Sequence, residues 1–152
     1  MANQVHAFDA HTPYAELDRQ HTLLRTRVAA LQTAIAPEAA LDGEELLRQV
    51  EAVRSSLAMH FSFEERVGTL SLLLSAGAAL RAETERLRAE HAGFLATLDR
   101  IAFGLRSGSG GANVRGTLSA VLDQLVDHEL DEHQLSCSAL RSGPMRARLH
   151  RG

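Results

Sequence analysis

The chain repeats one hydrophobic period four times. Tyr14, Leu17, His21, Leu24, Val28, Leu31 and Ile35 fall at alternating spacings of three and four. Leu46, Val50, Val53, Leu57, His60, Glu64 and Val67 do the same, as do Leu80, Thr84, Leu87, His91, Phe94, Leu98, Ile101 and Leu105. The last set is Val114, Leu118, Val121, Leu125, His128, Glu132, Leu135 and Ala139. Side chains three and four apart share one helix face, so each set reads as the buried seam of an amphipathic helix. No stretch alternates with the period of two that a half-buried strand requires.

Helix breakers separate the seams. Thr12 and Pro13 suit a cap followed by proline at the first helical position, and Pro37 closes the first segment. Asp42 with Glu45 three residues later resembles a capping box. Gly68 weakens the end of the second segment, and Gly77 lies in the connection that follows. "SGSGGAN" (107–113) is the clearest loop, and "RSGP" (141–144) stops the last helix. Short links between four amphipathic helices predict an all-α fold, an up-down-up-down four-helix bundle. The bundle is expected over about residues 12–141, with a short N-terminal arm and a basic C-terminal tail.

Composition narrows the class. A chain of 152 residues suits a single domain, and its net charge of −3 gives no reason to expect a nucleic-acid partner. All 16 basic residues are arginine, which we read as base bias rather than function. Cys137 is the only cysteine, so no disulfide can form within the chain, and a reducing, cytoplasmic location is expected. The longest apolar run (70–80) is too short to span a bilayer, so no membrane partner is expected. A monomer or weak homodimer is the expected state.

Candidate chemistry lies where the seams turn polar. Each helix carries one seam histidine: His21, His60, His91 and His128. The second and fourth add a glutamate one turn later, Glu64 and Glu132. Counted from the helix ends, the four histidines lie within about one to one and a half turns of a common layer. Four imidazoles and two carboxylates in an apolar core are costly without a partner. A pair of metal ions removes that cost: each takes two imidazoles, and the carboxylates bridge. Imidazole with carboxylate suits iron, manganese or zinc. The competing reading is a set of buried, hydrogen-bonded His–Glu pairs. His6, His11, His133 and His150 lie off the seams, and Glu65 and Glu90 are expected to face solvent. Phe61, Phe94 and Leu87 are expected to wall the site, and no role is expected for Cys137.

Four stretches, "LDRQHTLL", "MHFSFEE", "AEHAGFLATL" and "VDHELDEH", together resemble the helix signatures of hemerythrin-like (HHE cation-binding) proteins. The resemblance implies a four-helix bundle around two non-haem iron ions with an oxo or hydroxo bridge. Oxygen-carrying members have a second histidine on the third helix, where this chain has Leu87, and an aspartate five after the fourth-helix histidine, where it has His133. A single His91 and the His128–Glu132 pair resemble instead the four-His, two-Glu subtype of the iron-sulfur-repair proteins. By that resemblance His21, His60, His91 and His128 are terminal ligands, and Glu64 and Glu132 bridge. Ferritin-like bundles use Glu-x-x-His, which occurs in no seam here.

The expected function is therefore binding of, or reaction with, dioxygen, nitric oxide or peroxide at a carboxylate-bridged diiron site. The alternatives are an enzyme that reduces peroxide or nitric oxide, an iron donor in cluster repair, and a structural bundle holding zinc or no metal. The absence of cysteine ahead of the first helix disfavours cluster repair.

Overall fold

The computed structural model describes residues 13–74, 77–109 and 113–141. The helices are α1 (Pro13–Ala34), α2 (Gly43–Arg66), α3 (Thr69–Leu74), α4 (Ala78–Arg106) and α5 (Val114–Arg141). The four long helices α1, α2, α4 and α5 are those the seams predict, and they make the up-down-up-down bundle. Thr12, the N-terminal arm and the C-terminal tail lie outside the described residues. No described helix is long and apolar enough to cross a membrane.

Local chemistry sets where α2 begins and ends. An Asp42 side-chain oxygen accepts from the backbone N–H groups of Glu44 and Glu45, at 3.0 and 3.2 Å. Those donors have no partner within the helix, and the two glutamates suit the positive end of its dipole. At the other end the Gly68 N–H donates to the Phe63 carbonyl at 3.0 Å. A Cβ at position 68 would meet Glu64 Cα at 2.7 Å, so the chain leaves α2 along a path open only to glycine.

That path leads directly into α3, where the sequence predicts only a connection. Six residues, mostly leucine, carry too little polar contrast to mark a period. Its Leu70 and Leu73 are nevertheless fully buried, packed with Leu87 of α4 and Ala139 of α5. Gly77, at φ +125°, then starts α4 in a conformation that a side chain would strain.

The core has two parts. The larger lies among the four long helices and includes Leu31, Val53, Leu57, Leu98, Leu118 and Phe61. The smaller is the α3 cluster. Along α4, His91 lies between Leu87 of the small cluster and Phe94 of the large one. Along α5, His128 and Glu132 lie between Leu125 and Ala139 in the same way. The seam histidines and glutamates thus form a polar layer with apolar packing on both sides.

Leu70→Ala should cost about 2–5 kcal/mol through the lost contacts and the cavity left behind. Urea unfolding monitored by circular dichroism measures it. A loss below about 0.5 kcal/mol, typical of a surface site, would mean that α3 does not close the core.

Candidate metal centre

The six side chains singled out by their seam positions converge between the helices. His60, Glu64, His91, His128 and Glu132 are buried, and only His21, on α1, retains partial exposure. They form two triads: His21, His60 and Glu64, and His91, His128 and Glu132. Within each triad one donor atom per residue lies within 4.8 Å of the others. The ring centroids of His21 and His60 are 4.6 Å apart, and those of His91 and His128 are 5.0 Å apart.

The His91–His128 triad is held from behind. His91 Nδ1 donates to Glu65 Oε1 at 2.9 Å, and His128 Nδ1 donates to Glu90 Oε2 at 2.8 Å. Arg88 Nε donates in turn to Glu65 Oε2 at 3.1 Å, while Arg86 holds Glu90 and reaches Asp131 of α5 at 3.0 Å. An ionised carboxylate only accepts, so both Nδ1 atoms carry the proton. In a neutral ring that leaves Nε2 as a lone pair. The two Nε2 atoms face each other at 3.1 Å, and two lone pairs cannot bond each other. Burial holds His91 below the usual imidazole pKa despite the opposing pull of Glu65, so its ring favours the neutral form. A cation shared by the two nitrogens resolves the contact. Phe61 stacks on His91 at 3.7 Å, and Phe94 meets His128 edge-on at 5.4 Å, so the two imidazoles have little freedom to turn away.

Glu64 ties the two triads together. Its Oε1 lies 3.0 Å from His60 Nε2 and its Oε2 lies 3.7 Å from His91 Nε2. Glu132 Oε2 lies 4.0 Å from His128 Nε2. Burial opposes the charged form of His60, but the carboxylates of Glu129 and Glu64 outweigh it and raise the imidazole to about 10. Burial, reinforced by the charge of Glu64, pushes the Glu132 carboxyl up to about 9. Without a cation, protons on His60 and Glu132 therefore offset the concentrated negative charge.

The donor set fits a metal. His21 Nε2, both ring nitrogens of His60, Glu64 Oε2 and Glu132 Oε2 are buried without a hydrogen-bond partner. Orphaned buried atoms of this kind are rare in native proteins and call for an ion or a ligand. The donors are imidazole nitrogen and carboxylate oxygen, which suit first-row divalent metals.

Three carboxylates that the seams do not predict lie near the centre. Glu65 and Glu90 do not simply face solvent: each orients a histidine on a neighbouring helix. Each sits one position from a seam residue, and only the way the helices pack could show that it reaches across. Glu129, next to His128, carried no sequence signal. Its Oε1 lies 3.4 Å from His60 Nε2 and its Oε2 lies 3.9 Å from His21 Nε2. Leu87 belongs to the α3 cluster, whereas Phe61 and Phe94 pack directly on the imidazoles. His133 is exposed, with Nε2 at 3.6 Å from Sγ of the half-buried Cys137.

The two raised pKa values set a pH dependence for metal-free protein. His60 contributes stability that is complete below its ordinary 6.5 and is lost as pH rises through about 10. Glu132 retains in the fold a proton that the unfolded chain sheds near 4.5, so its contribution also declines up to about 9. His21 and His91, both shifted down, act below 6.5 and leave that window undisturbed. The melting temperature of metal-free protein should fall from pH 6.5 to 9. A flat or rising profile in calorimetry would count against protons at these two positions.

A family model for the hemerythrin HHE cation binding domain matches residues 12–135. No curated protein and no solved structure matches the chain. The match spans all four long helices nearly to the end of α5 and takes in both triads. The chain belongs to the hemerythrin HHE cation-binding domain family.

Proposed function

We propose that the chain is a carboxylate-bridged non-haem diiron protein that binds, or reacts with, a small ligand such as dioxygen, nitric oxide or peroxide. The observation that carries this reading is the pair of His–His–Glu triads joined through Glu64. His21 and His60 hold one ion and His91 and His128 the other. Glu64 and Glu132 are the bridging carboxylates, as in the four-His, two-Glu subtype. Two iron ions, when bound, supply one-electron redox steps and positions for a diatomic ligand or peroxide.

The protein's own part is orientation and exclusion. The Arg88–Glu65–His91 and Arg86–Glu90–His128 chains fix the tautomer of the second histidine pair and turn Nε2 inward. Hydrogen bonds of this kind also raise the basicity of a ligating imidazole. Phe61, Phe94 and the α3 cluster surround the centre with apolar side chains. Zinc would satisfy the same donors without redox chemistry, so metal content decides between a reactive and a structural centre.

Protein produced in iron-supplemented medium should contain about two iron ions per chain, as carboxylate-histidine bundle centres do. Its near-ultraviolet absorption should change on anaerobic addition of nitric oxide. Glu132→Ala should remove most of the iron and His133→Ala almost none. Loss of iron from the His133 variant would shift the ligand register of α5, and zinc alone in the wild type would refute the redox reading. Sustained consumption of peroxide or nitric oxide would identify an enzyme rather than a binding protein.

A further inference from the structure

The two triads do not have the same surroundings. Behind His91 and His128, Glu65 and Glu90 contact Nδ1, the ring atom turned away from the centre. Glu129 instead approaches His60 and His21 at Nε2, on the side where Glu64 also meets His60. Its Oε1 is buried and without a hydrogen-bond partner, as are Nε2 of both histidines. The side chain of His60 is completely buried, and its Nδ1 has no acceptor behind it. A carboxylate on the inner side of a histidine pair is placed to bind the same ion. A carboxylate on the outer side can only orient the rings.

The position also faces an opening. A cleft of about 390 Å³ between α1 and α5 is lined by Leu24, Val28, Leu125 and Val126, with His21 and Glu129 among its walls. Side-chain exposures of 27% for His21 and 35% for Glu129, against none for His60, place these two at the rim. The other triad is exposed no further than the 8% of Glu132.

We infer that Glu129 is a third carboxylate ligand of the centre, bound to the ion held by His21, His60 and Glu64 on the side that faces the α1–α5 cleft. This rests on the diiron reading above. The two ions are then inequivalent. One sits in the enclosed triad with outer carboxylates behind its histidines. The other has an extra anionic ligand on the side of the cleft.

Cobalt(II) titration of the full chain under a competing chelator tests the assignment, because it counts the ions and reports coordination through visible absorption. Wild type should bind two cobalt ions, and Glu129→Gln should weaken one of them about tenfold or more, the range expected for losing a group that supports a metal site. The visible bands of that ion should intensify as its coordination number falls, while the second ion stays unchanged. Glu129→Ala should show the same pattern. Glu90→Gln should instead weaken the ion at His91 and His128. Circular dichroism melts of the metal-free variants separate a binding defect from a folding defect. Two ions bound by Glu129→Gln as tightly as by wild type, or both weakened equally, would overturn the assignment and leave the diiron reading standing. Failure of the wild type to bind two ions would overturn both.

Discussion

Two imidazole nitrogens 3.1 Å apart, on rings whose opposite edges are anchored to carboxylates, are the constraint around which the molecule is arranged. Nothing in their own chemistry holds them there. The protons on the opposite ring edges are donated to Glu65 and Glu90, and those carboxylates are held by Arg88 and Arg86. The guanidinium groups are exposed, so the polarity of the buried centre is governed from the surface. Each link uses an ionised partner, which makes the contacts stronger than neutral hydrogen bonds.

The bundle tolerates this layer because it is packed with apolar side chains on either side. Leu57, Phe61, Leu98 and Leu118 lie on one side, Leu70, Leu73, Leu87 and Ala139 on the other. Glu64 is the member most dependent on local backbone. It sits in the last turn of α2, against which Gly68 folds back. The carboxylate that joins the triads is therefore positioned by the way the helix ends, and the same turn delivers α3 to cover the layer.

The four long helices and the six convergent residues were legible because burial leaves a period. His60, Glu64, His91, His128 and Glu132 interrupt apolar seams without breaking their spacing, and all five are buried. The carboxylates around them were not legible for the same reason. Glu65, Glu90 and Glu129 lie one step off a seam, where a charged residue is the ordinary solvent-facing choice. Their contacts depend on helix rotation and on the neighbour across the groove, neither of which a single helix encodes. Helix α3 was missed because its leucines are too few to show a period and because it forms where three longer helices leave a gap. The asymmetry between the triads is likewise a property of packing: both are His, His and Glu, and the difference lies in which edge of the rings the neighbouring carboxylates approach.

The division of the core has a bearing on cooperativity. The larger cluster draws on all four long helices, whereas the α3 cluster is small and joined to it through ionisable groups. Regions with few buried apolar contacts open at lower free energy than the whole fold. In metal-free protein the α3 end can therefore separate while the main bundle stays closed, and amide exchange faster at Leu70 and Leu73 than at Leu57 and Leu98 is its signature. Equal protection of the two regions would mean that the layer transmits packing as well as hydrocarbon does. An ion held in this layer would couple the two clusters, so the side chains that could hold a metal also bear on whether the protein unfolds as one unit or as two.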